Sequence, residues 1–271
     1  MPEIERKLDE VARQLRDAKR VLFITGAGIS ADSGLPTYRG VGGLYENERT
    51  EEGYPIETCL SASMFSIRPE ITWKYMLTIG EAVGRCKPNA AHEILARWER
   101  DIEKRRGKLV ILTQNIDGYH RQAGSKNVLE IHGSFNELYC NGCEWKTTVG
   151  LDDWNHKRLE KHLAEFRFPP KCPWCNEVIR PRIVLFEEML PRNVLNEFDI
   201  EFQDGTGFDM IFSVGTSAMF PYITGPVREA ARKRKTTIEI NPVAGDLSKH
   251  VAFHLPLRAA EAMTLLDKRL Q

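Results

Sequence analysis

The stretch "VLFITGAGISADSGLPTYRG", Val21 to Gly40, decides the fold. Its first five residues are almost wholly apolar and show no polar face, the pattern of a parallel strand covered by helices on both sides. Gly26-Ala27-Gly28, with Ala31 three residues on, then meets the permissive glycine fingerprint of a dinucleotide-binding turn. Such glycines let the backbone approach a pyrophosphate at the positive end of the following helix. An ordinary nicotinamide dehydrogenase also ends its second strand in an acidic residue, about twenty residues on. None stands out here. Its place is taken by "PTYRGVGGLY", a glycine-rich segment carrying Tyr38 and Arg39 that suits a flap over a ligand. Hydride transfer is disfavoured.

The strand pattern recurs in "LVILT" (Leu109 to Thr113), "MIFSV" (Met210 to Val214) and "TIEI" (Thr237 to Ile240). Helix-like stretches lie between, as at Ala91 to Arg105 and Pro226 to Lys235. An amphipathic helix with Ile4, Leu8, Val11 and Leu15 on one face comes first. This alternation predicts an α/β fold with a Rossmann-like, doubly wound parallel sheet. Two segments break the pattern: 40–80, with a helical run holding Phe65, Trp73, Tyr75 and Leu77, and 139–179, which holds four paired cysteines. The expected division is a Rossmann-like domain of 1–39, 81–138 and 180–271. The helical insertion 40–80 and the zinc-binding insertion 139–179 form a smaller module.

Lysine plus arginine number 38 and aspartate plus glutamate 38, so the neutral chain of 271 residues favours neither nucleic acid nor an anionic membrane as partner. No run approaches the roughly eighteen apolar residues of a membrane span, and the charged N-terminus lacks the apolar stretch of a secretory signal. A cytoplasmic protein with reduced thiols is expected; a monomer is compatible with the sequence, which leaves the oligomeric state undetermined. Of six cysteines, "CNGC" and "CPWC" supply Cys140, Cys143, Cys172 and Cys175, while Cys59 and Cys86 stand alone. Four thiolates in two close pairs suit one tetrahedral zinc with no vacant position, a structural site. The proline of "CPWC" keeps a redox dithiol as the competing reading.

"TQNIDGYH" (Thr113 to His120) places Gln114, Asn115, Ile116 and Asp117 at the carboxyl end of a strand, where open α/β sheets bind ligands. Taken alone it reads first as a polar turn in which Asn and Asp cap the next helix. "LEIHGSF" (Leu129 to Phe135) delivers His132 to a glycine turn between the two modules, where a cleft is expected. An imidazole near its ordinary pKa can act as a base at neutral pH. His120 reads as structural. After later strands come Gly215, Thr216, Ser217 and Asn241, whose small hydroxyl and amide groups suit phosphate and ribose hydroxyls.

In this order, together with "RPRIVLFEEMLP" (Arg180 to Pro191), these pieces resemble the sirtuins, the NAD-dependent protein deacylases, over nearly the whole chain. The resemblance implies NAD as co-substrate, a structural zinc, and acylated proteins or peptides as substrates in a cleft between the modules. It implies that Gly26, Ala27, Gly28, Ser30, Tyr38 and Arg39 belong to the NAD site and its flap. Gln114, Asn115, Ile116 and Asp117 would position the nicotinamide and its ribose, with Asn115 and Asp117 counted as catalytic. His132 would be the general base. Gly215, Thr216, Ser217 and Asn241 would hold the phosphate and adenosine side, and Val184, Phe186 and Glu187 the substrate.

The implied chemistry begins when the acyl-lysine oxygen captures the anomeric carbon as nicotinamide leaves. The base then takes a proton from a ribose hydroxyl, which attacks the resulting imidate. Lysine and O-acyl-ADP-ribose are released. A flap that excludes water protects the reactive ribose.

The chain departs from the family in Phe186-Glu187-Glu188, where Phe-Gly-Glu is usual, and in Pro221, which follows "GTS" one residue early. The first departure lies on the segment that takes the substrate backbone as an added strand. Members preferring acidic acyl groups carry Tyr-x-x-Arg. Here Tyr75-Met76-Leu77-Thr78 has Thr78 at the arginine position, so acetyl or a longer apolar acyl group is expected. Met64, Phe65 and Met76 are its pocket candidates, with ordinary core packing as the competing reading. ADP-ribosyl transfer to a protein is the alternative activity, and a non-catalytic zinc-ribbon binding protein the alternative class.

Overall fold

The computed structural model describes residues 2–36, 49–159, 168–203 and 207–271. Among these the strands are β1 (Arg20–Thr25), β2 (Lys108–Thr113), β3 (Val128–Glu130), β4 (Gly133–Cys140), β5 (Lys146–Thr148), β6 (Ile179–Ile183), β7 (Met210–Val214), β8 (Thr236–Ile240) and β9 (Phe253–Leu255). Six of them form one sheet in the order β3-β2-β1-β7-β8-β9, every neighbouring pair parallel. From β1 the chain lays strands to one side and then crosses back to lay the rest on the other. The order therefore reverses between β1 and β7, where open α/β sheets form their ligand crevice.

The sheet is buried on both faces because alternate residues of its strands point to two separate apolar layers. Phe23 stacks on Phe212, ring centroids 4.3 Å apart, beneath the helices Pro2–Asp17, Ala90–Lys104 and Ala259–Leu270. Leu22 and Ile24 face the other way, onto Ile223 and Val227 of the helix Pro221–Arg232 and Phe198 of the helix Arg192–Gln203. The N-terminal helix buries Leu8, Val11 and Leu15 as its pattern predicts. The helix expected from Pro226 begins instead at Pro221, and Pro226 lies inside it. Pro221 already fills the first-turn position to which a fixed φ and a missing N–H are suited.

A second, antiparallel sheet has the order β5-β4-β6 and packs with the helix Pro69–Arg85. Its core gathers Trp73, Phe135, Leu138 and Trp154. The Trp73 indole N–H donates to the Ile179 carbonyl at 2.7 Å, tying the helix to β6, and that of Trp154 donates to Phe135 at 3.1 Å. The divisions expected at 80/81, 138/139 and 179/180 fall within continuous elements: this helix runs through Gly80, β4 starts at Gly133, and β6 ends at Ile183. Composition marked the cysteine-rich stretch but carried no sign that its strands extend back toward the large sheet.

Candidate active site

The loops after β1, β2, β7 and β8 meet at the carboxyl edge of the large sheet. Gly26 N–H donates to Val214 at 3.0 Å, Gly28 N–H to Gly215 at 2.7 Å, and Gly215 N–H to Ile240 at 2.9 Å. Gly26, Gly28 and Gly215 have no room for a Cβ of their own at this junction. A Cβ on Gly28 would stand 2.6 Å from the Gly215 Cα, and Gly215 has φ +59°. The helix after the glycine turn, Ala27–Ala31, has only five residues. The fingerprint assigns the phosphate to that helix; what the structure offers in its place is close-packed glycine backbone flanked by Thr216 and Asn115.

The polar residues expected after β2 converge on the same place. Asn115 Nδ2 donates to the Gly26 carbonyl and to Ser30 Oγ, both at 3.1 Å. Ser30 Oγ in turn donates to Asp117 Oδ2 at 2.6 Å, while Asp117 Oδ1 accepts the Tyr119 N–H at 3.0 Å. This chain of donors is buried, and burial pushes the Asp117 carboxyl above its usual range against the pull of Ser30 and Tyr119. Asp117 thus accepts the first N–H of the helix Tyr119–Gln122, one residue before its N-cap Gly118, while its other oxygen faces Ser30. Gln114 Nε2 donates to Thr216 Oγ1 at 2.9 Å, and Asn241 Nδ2 to the Thr216 carbonyl at 3.1 Å. Both brace the "GTS" turn, where Ser217 is exposed. Ile116 fixes the strand behind: its carbonyl accepts the Phe135 N–H at 3.1 Å. Ala27 is exposed at the turn. Tyr38 and Arg39 lie outside the described residues.

His132 stands at the hinge between the two sheets, one residue before β4. Gly133 beside it has φ +76°, and a Cβ there would fall 2.0 Å from the Arg182 carbonyl oxygen. Only glycine turns the chain here. His132 Nδ1 lies 3.0 Å from the Gln114 carbonyl oxygen and Nε2 lies 2.8 Å from the Tyr222 hydroxyl. Burial draws its pKa below the ordinary imidazole value, with the Gln114 carbonyl opposing. His120, by contrast, is sealed behind β1 and β2 against Thr25 Oγ1 at 2.9 Å, which confirms its structural reading. Tyr222 was missed because its local sequence carries no motif; the early Pro221 was the one signal near it.

The segment expected to hold substrate, Val184 to Glu187, follows β6. Val184 N–H donates to the His132 carbonyl at 2.9 Å. Phe186 N–H donates to Leu60, and Ala62 N–H donates to Phe186, both at 3.0 Å, so one side of this strand is tied to the helical module. Glu187 adopts φ +73°, the left-handed region usual for the glycine it replaces. Its carboxylate accepts from Ser63 N–H at 3.1 Å and Ser63 Oγ at 2.6 Å, which lowers its pKa.

The four paired cysteines form one cluster, all Sγ atoms within 4.8 Å of one another. Tetrahedral Zn–S bonds of about 2.3 Å place the sulfurs roughly 3.8 Å apart, and the closest pairs here, Cys140–Cys175 and Cys143–Cys172, are at 3.4 and 3.5 Å. Gly142 N–H points at Cys140 Sγ and Trp174 N–H at Cys172 Sγ, as thiolates require. Burial raises the Cys172 thiol, yet the backbone N–H groups of Cys175 and Trp174 bring it down to about 7. The donor set fits a structural zinc.

The family model that matches is that of the Sir2 family, over residues 26–220. A Pseudomonas aeruginosa protein named NAD-dependent protein deacylase 2 is 46% identical over 255 residues, 93% of each chain. One from Pyrococcus abyssi named NAD-dependent protein deacylase is 35% identical, covering 94% of each. Among solved structures, a Sir2 homologue in complex with NAD superposes with a TM-score of 0.79 at 30% identity, covering 96% of this chain and 93% of that one. A Sir2 with a deacetylated p53 peptide and 3'-O-acetyl ADP ribose also reaches 0.79, at 26% identity and 96% of both chains. The glycine junction, the donor chain through Asp117, the hinge histidine and the four-cysteine cluster all fall within a match running along nearly the entire sequence, and the chain belongs to the Sir2 family.

Proposed function

We propose that the chain removes acyl groups from protein lysines with NAD as co-substrate, releasing nicotinamide and O-acyl-ADP-ribose. One observation carries this reading: His132, a half-buried histidine whose pKa burial lowers, bonds to Gln114, and the Gln114 side chain braces Thr216 of the glycine junction beside the buried Asn115–Ser30–Asp117 donor chain. A nucleotide seated on that junction brings its nicotinamide ribose to the residues after β2. NAD supplies the electrophilic anomeric carbon; the chain's residues orient it and manage protons.

Gln114, Asn115, Ile116 and Asp117 hold the nicotinamide end. Gly215, Thr216, Ser217 and Asn241 hold the phosphate and adenosine side, with Gly26, Ala27, Gly28 and Ser30 beneath. Tyr38 and Arg39, outside the described residues, are assigned to the NAD side by the family resemblance alone. His132 takes the ribose proton. Val184, Phe186 and Glu187 form the wall against which the acyl-peptide pairs. The zinc cluster keeps β4 and β6 in register, and these strands carry His132 and Val184 at their near ends.

The acyl group is acetyl or a longer apolar chain. The Tyr75 hydroxyl is spent on the Glu52 carboxylate, and the Thr78 hydroxyl on the Lys74 carbonyl at 3.0 Å, so neither is free to receive an acid. Of the pocket candidates, Met76 is fully buried in the core, leaving Met64 and Phe65 at its margin. The test is nicotinamide release with acetyl-, longer-acyl- and succinyl-lysine peptides, followed by mass spectrometry. Deacylated peptide with O-acyl-ADP-ribose, lost in His132→Ala, is expected. ADP-ribose attached to protein without deacylation would move the assignment to the transferase.

A further inference from the structure

A neutral imidazole has one N–H and one lone pair. His132 Nδ1 faces the Gln114 carbonyl oxygen at 3.0 Å, which only accepts, so that nitrogen carries the hydrogen. Nε2 presents the lone pair, and the Tyr222 hydroxyl at 2.8 Å donates to it. The nitrogen that has to receive the ribose proton therefore already holds a proton donor.

Tyr222 is not placed to step aside cheaply. It lies in the first turn of the helix Pro221–Arg232, and its ring stacks on Phe220 with centroids 5.2 Å apart and planes 11° apart. Phe220 in turn sets its edge against the His132 ring at 6.4 Å. The body of Tyr222 packs on the apolar layer that holds Ile223 and Val227. Burial pushes the phenol up to about 12, so the hydroxyl is protonated at neutral pH. Its oxygen keeps lone pairs that can accept from a further hydroxyl, because a hydroxyl both donates and accepts.

Resting on the deacylase reading, we propose that Tyr222 relays the proton from the ribose to His132. The ribose O–H bond breaks toward the Tyr222 oxygen as the Tyr222 O–H bond breaks toward Nε2. The ribose oxygen uses the freed electron pair to form its bond to the imidate carbon. Tyr222 ends neutral, and His132 ends as the imidazolium. Tyr222 directly follows Pro221, the residue that comes one position early after "GTS".

The reaction order supplies the test. Nicotinamide departs before the base acts, so exchange of labelled nicotinamide into NAD does not need the relay, while formation of O-acyl-ADP-ribose does. With zinc-loaded full chain, NAD and an acetyl-lysine peptide, Tyr222→Phe should exchange nicotinamide within about twofold of the parent. Product formation in a single turnover should fall about a hundredfold, the low end of general acid–base effects. In mixed light and heavy water the parent's product-forming rate should bend with deuterium fraction, as two moving protons require, and the variant's should be straight.

Product formation at or above the parent rate would make Tyr222 a plug or a bystander and overturn the relay. Exchange and formation falling together would make it a structural prop, which overturns the relay equally. His132→Ala distinguishes failure of the base from failure of the relay. Retained exchange with lost product supports the base assignment beneath the relay. Full product formation in that variant removes the base, and the relay with it.

Discussion

Gly28 and Gly215 are interlocked backbone to backbone where the strand order reverses: the Gly28 N–H reaches the Gly215 carbonyl at 2.7 Å, and a Cβ on Gly28 would meet the Gly215 Cα at 2.6 Å. Gly28→Ala must push the loops of β1 and β7 apart. Overpacking of this kind costs about 1–3 kcal/mol, and the displaced loops are the proposed nucleotide seat. NAD titration should show affinity down at least about tenfold, equivalent to roughly 1.4 kcal/mol, with a lowered urea midpoint. Unchanged NAD affinity would place the nucleotide elsewhere.

The pH profile of kcat/KM should report His132. The neutral imidazole is the active form, so the rate is flat above its pKa and falls about tenfold per pH unit below it. Because burial lowers that pKa from the ordinary 6.5, the acid limb should be centred below 6.5. A limb centred above it would point to another group as base.

Stability should decline with acid through two other histidines. Burial takes His92 down to about 4, and burial and His92 together take its neighbour His120 well below 6.5. Both folded pKa values lie under the unfolded one, so the unfolded chain binds protons first as pH falls. Their contribution is complete above 6.5 and is lost as pH falls below it, for His92 down toward about 4. The slope approaches about 1.4 kcal/mol per pH unit for each histidine. Urea unfolding between pH 7.5 and 5 measures it, and His92→Gln should flatten the curve.

Glu187 combines a left-handed backbone with two hydrogen bonds to Ser63. Glu187→Gly loses the bonds but relieves the backbone, whereas Glu187→Ala loses the bonds and keeps the strain. Thermal melting should therefore rank the alanine variant below both the parent and the glycine variant. The glycine variant should also show a changed peptide KM with its NAD KM unmoved. An alanine variant as stable as the parent would show that Ser63 contributes nothing.

Removing zinc should reach the base. Chelation, or Cys143→Ser, unpins the far ends of β4 and β6, and His132 precedes β4 directly. Deacylation should fall in step with zinc content, tracked by the fluorescence of Trp145 and Trp174. Full activity in zinc-free protein would contradict the structural role.

The large sheet was legible because its strands are apolar on both faces and punctuated by Gly26, Gln114 and Gly215 at their ends. Periodicity survives in isolation, and β1, β2, β7 and β8 stand within a residue of where it put them. Three-residue strands such as β9 are too short to carry a period. The small sheet hid because its strands sit among cysteines and polar residues, and β4 pairs with β6, Cys140 opposite Ile179, across a stretch of chain that local pattern does not register. At the candidate site, the loop residues that stand out in the sequence, Gly26, Gly28, Asn115, Asp117 and Gly215, do gather at one edge of the sheet, because strand ends are fixed by the strands that carry them. Tyr222 does not stand out, because an aromatic in the first turn of a helix ordinarily signals packing. Its place beside His132 depends on a contact between positions 90 residues apart.

The strand order also governs how the molecule is made. β1 is central, yet its neighbour β7 is among the last elements to be synthesised, with Val21 pairing to Met210. At about 5–20 residues per second, the ribosome leaves one edge of β1 without its partner for roughly ten to forty seconds. An unpaired apolar edge exposed that long is an invitation to pair with another chain. Soluble yield should therefore respond to slower synthesis and to chaperone supply more than to the stability of the finished fold.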